Sequence, residues 1–232
     1  MPDALAVAEQ VDHGDGEFRR RAPSSDAGLR LLERFRQVRN FSQRLCETLS
    51  PEDYVVQSMP DVSPTKWHLA HTSWFFETFV LKVWMPRYRS EVPQYAYLFN
   101  SYYNAAGEMH RRDLRGLISR PTVDETYRFR ASIDDCVCEL IRGADASLLA
   151  QIEPVLVLGL HHEQQHQELL VTDIKHVFAQ NPLHPVVRAR EDPADGEIAP
   201  ASFADSHGTL REICPSGDAS RHAHQHAPPR RP

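Results

Sequence analysis

The stretch PVLVLGLHHEQQHQELLVTDIKHVFAQ, residues 154–180, decides the fold. Val155, Leu158, Gly159, His162, His166, Leu169, Thr172, Asp173 and Val177 follow one another mostly at intervals of three and four, which draws one face of a helix. Pro154 suits a first helical turn, and Asn181-Pro182 is a stop, so the helix is expected from near Pro154 to about Gln180. Two histidines occupy the middle of that face, where large apolar side chains are expected. Four residues turn a helix by about 400°, so the rings of His162 and His166 lie about 40° apart on one side. Imidazoles so placed can share one metal ion; two core histidines satisfied by hydrogen bonds are the plainer alternative.

Three further helices precede it. Ala27 to Thr48 places Leu31, Leu32, Phe35, Val38, Phe41 and Leu45 on one face, with Leu49 just beyond. Ser63-Pro64 reads as a hydroxyl cap followed by proline at the first helical position, opening a second helix that ends before Pro86. Thr122 and Glu125 have capping-box spacing and start a third helix, with Val123, Tyr127, Ile133, Val137 and Leu140 inward and a stop at Gly143. Between the second and third runs a long connection, 87–120, whose Tyr88, Tyr95, Tyr97, Phe99, Tyr102 and Tyr103 argue for an ordered, packed excursion. Tyr102, Tyr103 and Asn104 are read there as packing residues. No alternating strand pattern or hairpin turn is evident. The fold class is therefore all-α: a four-helix bundle with one long crossover, an architecture that often builds metal sites in its core.

Composition sets the limits of that bundle. Of 20 aromatic residues in the 232-residue chain, 18 lie in 27–182, and the last 50 residues hold 7 of the 17 prolines. Segments so poor in large apolar groups cannot offset an ordering cost of about 1–2 kcal/mol per residue. The expected organisation is a disordered 1–26, a folded 27–182 and a low-complexity, disordered 183–232, without a second packed domain. A net charge of −6 argues against a sequence-independent grip on nucleic acid. No apolar run reaches membrane-spanning length, and the first 25 residues lack a signal-peptide core. Cys46, Cys136, Cys138 and Cys214 show neither metal-finger nor disulfide-framework spacing, which fits a reduced, cytoplasmic protein.

The second helix supplies a third histidine. Its inward line is Trp67, His71, Trp74, Phe75 and Thr78, which puts His71 on the buried stripe and His68 roughly 60° off it. His68 is expected to support a ligand ring from behind or to lie on the surface. His161, turned about 100° from His162, is expected to be exposed or supporting, and Glu168 to orient a ligand ring or face solvent. Three neutral nitrogen ligands leave coordination positions open, as catalysis requires. Imidazole suits zinc, copper, iron and nickel alike, so the residues alone leave the metal undecided.

Three segments carry a resemblance: WHLAHTSWFFE (67–77), YLFNSYYNAAGEMHRRDLRGLISRPT (97–122) and LGLHHEQQHQELLVTDIKH (158–176). Together they resemble the N-terminal, DinB-like domain of the ergothioneine-biosynthesis sulfoxide synthases, over about Leu31 to Pro185. These are non-haem iron(II) enzymes that use O2 to join the sulfur of cysteine or γ-glutamylcysteine to the imidazole of trimethylhistidine (hercynine). The HxxxHxE pattern of 162–168 is shared with related ovothiol-pathway enzymes. The resemblance implies a DinB-like bundle, His71, His162 and His166 as ligands of Fe(II), with Zn or Ni as alternatives, and no catalytic residue of this chain beyond them. It also implies that Arg112 and Arg115 bind carboxylates of the thiol substrate through bidentate pairs.

The family continues into a domain resembling formylglycine-generating enzyme, which supplies much of the hercynine pocket and a catalytic tyrosine. Nothing after Pro185 resembles it, and the ending RHAHQHAPPRRP, with His222, His224 and His226, reads as an incidental tract. The expectations are a truncated or frameshifted half-enzyme, a partner chain carrying the second domain, or a different task. That task is a metal-dependent thiol S-transferase or a non-catalytic metal-binding remnant. Neither nucleic acid nor membrane is an expected partner.

Overall fold

The computed structural model describes residues 25–101, 107–187, 202–204 and 210–212. Helix α1, Asp26–Arg44, starts where the Ser25 hydroxyl accepts the Gly28 N–H, and it buries Leu31, Leu32, Phe35 and Val38. Phe41, expected on the inner face, is exposed instead, because Arg39 and Ser42 take the inward positions of that turn. A single 3-10 turn, Pro51–Tyr54, follows. Helix α2, Thr65–Phe76, runs through a π-helical turn, Glu77–Leu81, into α3, Lys82–Trp84. Ser63 is not the cap expected of it; Pro64 holds the capping position, and Ser63 instead gives its N–H to Asp173 and accepts from Arg115.

The excursion after α3 is ordered over its described residues. It contains the short α4, Tyr95–Phe99, and a 3-10 turn, Arg112–Leu117; Tyr102, Tyr103 and Asn104 lie outside the described residues. Tyr95 packs edge-on against Phe129, with ring centroids 5.0 Å apart. Helix α5, Val123–Gly143, begins with the expected capping box, in which Thr122 and Glu125 exchange side-chain and backbone bonds.

Helix α6, Ala146–Ala179, starts eight residues before Pro154, which sits inside it. Proline in a helix interior costs about 3 kcal/mol. Burial of Leu149 and Ile152 on the added turns offsets that at about 1.5–3 kcal/mol each, and the Asp145 carboxylate caps the new start through Leu148 N–H at 2.8 Å. The phase of the helix also differs from the expected stripe. Leu158 and Leu169 are exposed, and the inward line is Ile152, Leu156, Gly159, Leu160, Glu163, Gln167, Leu170 and Ile174.

The result is an all-α helical bundle. Helix α2 packs against α5 and α6, and α1 packs against the same two. Every residue of Thr65–Phe76 is buried, because helices cover one side and the excursion covers the other. No helix among the described residues is long and apolar enough to cross a membrane.

The segment 190–232 forms a separate unit. Its described part is an antiparallel pair, β1 (Ser202–Ala204) and β2 (Leu210–Glu212), with Phe203 opposite Arg211. No strand signal is legible there in the sequence, because three-residue strands are too short to show an alternation. The ordered chain also runs past 182, where the Thr48 hydroxyl donates to the Val187 carbonyl. The rest of the expected disordered tail, its histidine tract and Cys214, and the expected disordered start fall outside the described residues.

Gly159 tests the packing of α6 on α2. A Cβ there would lie 2.5 Å from Phe76 Cε1 and 2.9 Å from Phe75 Cε1. Helix propensity favours alanine over glycine by about 1 kcal/mol, but overpacking costs about 1–3 kcal/mol and pushes both rings. Gly159→Ala is therefore expected to lower the urea midpoint with an unchanged m-value; a stabilised variant would contradict this packing.

Candidate metal centre

His71 on α2 and His162 and His166 on α6 meet at one point. One nitrogen from each lies within 4.8 Å of the others, and His71 Nε2 is 3.1 Å from His162 Nε2. Two donors on one ion at about 2.1 Å, near a right angle, stand about 3 Å apart, so the separation suits a shared cation. Ring centroids 4.5–4.8 Å apart and interplanar angles of 61–72° set the three rings edge to face rather than stacked.

The ring of His71 is fixed on every side. Its Nδ1 donates to the Phe99 carbonyl at 2.6 Å, which leaves Nε2 with the lone pair. Trp67 stacks on one face at 4.5 Å and Trp74 on another at 5.5 Å, with interplanar angles of 13° and 15°. Beyond Trp67 the Arg115 guanidinium lies 3.3 Å from the indole centroid. Phe75 lies against His162 at 4.8 Å. His71 is buried, whereas His162 and His166 are half-buried, so the cluster opens on the α6 side.

These rings are held neutral, the form that can ligate a metal. Burial lowers all three; for His71 the neighbouring His162 and the Arg115 cation add to the effect. His162 falls to about 4, against a small opposing pull from Glu163. His166 is lowered by burial and then by the other two rings and His68. Donor chemistry and spacing therefore both fit a metal ion. A cleft of about 590 Å³ between Arg44, Val171, Phe178 and Val187 is a separate feature that none of the three histidines lines.

Around the cluster, several expectations resolve. His68 is buried, not superficial: its Nδ1 is 2.9 Å from His166 Nδ1 and its Nε2 is 3.0 Å from Asp173 Oδ2. His161 is exposed and meets Arg34 and Gln164. Glu168 is exposed, away from the rings. Arg115 is buried, donating to Ser63 Oγ at 2.9 Å and Ser101 Oγ at 3.1 Å, so part of its donor fork is already engaged. Arg112 is exposed and donates to the Asp61 carbonyl.

Sequence reading missed Glu163, which is fully buried beside His162. Its carboxylate accepts from Arg39 at 2.9 Å, Arg130 at 2.5 Å and Ser42 at 2.6 Å. Burial alone would raise its pKa, but Arg130, Arg39 and Ser42 outweigh burial and hold it near 2. Nothing in the spacing of Arg39 and Glu163, 124 residues apart, announces the pair.

The metal-free protein has a consequent pH dependence. Between about pH 6.5 and 4 the unfolded chain protonates His162 and the folded chain does not, so stability falls as pH drops through that window. The shift is worth about 3 kcal/mol for this ring, and His71 and His166 act in the same direction. Glu163 adds its own loss below about 4.5, as it approaches its held value near 2. Urea unfolding of metal-free protein from pH 7 to 4 is expected to show this decline, shallower in His162→Asn. A flat profile would contradict neutral buried rings.

Among curated proteins none matches this sequence. Residues 34–170, more than half of the chain, match the family model of the DinB superfamily. That span includes all three clustered histidines and most of the four long helices. The chain, with its three-histidine cluster between α2 and α6, belongs to the DinB superfamily.

Proposed function

We propose that the bundle is the iron(II)-binding domain of an ergothioneine-pathway sulfoxide synthase, acting in O2-dependent C–S bond formation between hercynine and cysteine or γ-glutamylcysteine. The observation that carries this reading is the convergence of three neutral imidazoles, with no carboxylate among them, beside a buried arginine. The segments 67–77, 97–122 and 158–176, which bear the resemblance, supply those histidines and that arginine.

In this reading His71, His162 and His166 would hold the ion, and Fe(II) would supply open positions for a thiolate and for dioxygen and pass electrons from the oxidised substrates to oxygen. The uncharged donor set leaves the ion's positive charge uncompensated, which favours an anionic sulfur ligand. Trp67, Trp74 and Phe75 exclude water from the buried side. Arg112 faces solvent, and in this reading it binds a substrate carboxylate. Arg115, engaged by two serines and stacked on Trp67, adds a fixed positive field. A domain resembling formylglycine-generating enzyme, in the same protein or in another chain, completes the hercynine pocket.

Purified protein is expected to bind about one Fe(II) per chain, and His162→Ala or His166→Ala to reduce that to background. Full metal content in both variants would overturn the ligand set. The reaction is tested with Fe(II), oxygen, hercynine and either thiol, with and without a formylglycine-generating-enzyme-like domain added in trans. Sulfoxide formed only with that domain supports the whole reading. Oxygen-independent thiol alkylation supported by zinc or nickel would replace it with a metal-dependent S-transferase.

A further inference from the structure

Asp173 and His68 are assigned no task by the cluster itself, yet they connect directly to one of its rings. Asp173 Oδ2 accepts the Ser63 backbone N–H at 2.8 Å and lies 3.0 Å from His68 Nε2. A carboxylate has no proton to give, so His68 Nε2 is the donor. A neutral ring that donates at Nε2 carries its lone pair at Nδ1. His68 Nδ1 faces His166 Nδ1 at 2.9 Å, which makes His166 Nδ1 the donor in that contact. The lone pair of His166 is then at Nε2, the nitrogen left for the cluster.

We infer that Asp173 and His68 are positioning residues: a carboxylate–histidine relay that fixes His166 as its Nδ1–H tautomer and presents Nε2 to the metal. The inference rests on His166 being a ligand, as proposed above.

The geometry also fixes where the ring points. His166 and Asp173 are seven residues apart on α6, about 10.5 Å along the axis, and His68 from α2 bridges them. His68 is 3% exposed and is stacked edge-on against Trp67, with centroids 5.8 Å apart, so the bridging ring has little freedom. Ser63, just before α2, holds the far carboxylate through its backbone N–H. His71 is oriented by the same device with a different acceptor, the Phe99 carbonyl. Partners of this kind commonly change metal affinity by about 10–100-fold when removed.

Histidine nitrogen NMR on the metal-free protein reads the tautomers directly, without metal or turnover. The expected pattern is Nδ1–H for His166 and Nε2–H for His68. In Asp173→Asn and His68→Gln the His166 tautomer is expected to become mixed, and the affinity for Co(II), a spectroscopic probe, to fall about 10–100-fold in chelator competition. Asp173→Glu is expected to recover part of both. A doubly protonated His68, or His166 as Nε2–H in the wild-type protein, would overturn the relay. Unchanged tautomer and affinity in folded variants would do the same. Should either variant fail to fold, the wild-type spectrum still decides the matter. A wild-type protein with the expected tautomers that binds neither Co(II) nor Fe(II) would leave the relay standing and sink the metal-site reading.

Discussion

Everything else in the bundle is keyed to one buried carboxylate. Glu163, 1% exposed, sits between the guanidinium groups of Arg39 on α1 and Arg130 on α5. Arg39 reaches on to Asp134 at 2.5 Å and Ser73 at 2.9 Å, while Arg130 reaches Thr72 and the Arg39 carbonyl. Gln167, one turn on, closes the layer onto Val38 and Ser42. Such a network adds little net stability, because desolvating the charges costs several kcal/mol each. Its value lies in specificity: an apolar layer would tolerate sliding or rotation of α6, but four helices with complementary charges and hydroxyls meet in one register.

That register places the clustered histidines. Glu163 follows His162, and Thr72 and Ser73 follow His71, so the polar layer is offset from the histidine cluster by one residue on α6 and by one or two on α2. Pointing Glu163 at the bundle axis turns His162 and His166 to the edge of the inner face, where they are half-buried. A central position would have made them fully buried core residues. Gly159 permits the close approach of Phe75 and Phe76 that walls this edge, and Phe75 in turn lies against His162. The openness of the site and the closure of the core are thus two consequences of one helix phase.

This phase is also the point at which sequence reading and structure part. The histidine pair at four-residue spacing, His71 on a second helix and the Thr122–Glu125 capping box were all legible, because each is a local signal whose meaning survives folding. The centre of the α6 stripe was not. A reading by hydropathy treats Glu163 and Gln167 as outward residues, and only the distant Arg39 and Arg130 make them inward ones. Burial of His68 was hidden for a similar reason: the partners that cover it, His166 and Asp173 on α6, are 98 and 105 residues away in the sequence. Pro154 misled in the opposite way, since a strong local start signal lost to the burial of Leu149 and Ile152 upstream of it.

The contributions of bundle and excursion to the cluster are separable. Two helices alone bring three rings together, but a ring can rotate about its bonds and exchange tautomers. The Phe99 carbonyl, from the excursion, removes that freedom from His71. Arg115, also from the excursion, clamps Trp67 against the same ring. The α6 rings depend instead on partners within the bundle, His68 and Asp173 for one and Phe75 for the other. Without the excursion the helices would still bring the three nitrogens near one another, but the His71 ring would be free to turn. In this chain that loop is fixed to the bundle by Tyr95, by the Trp67–Leu98 bond and by Ser63, which holds Arg115, so the His71 donor is set by the fold itself.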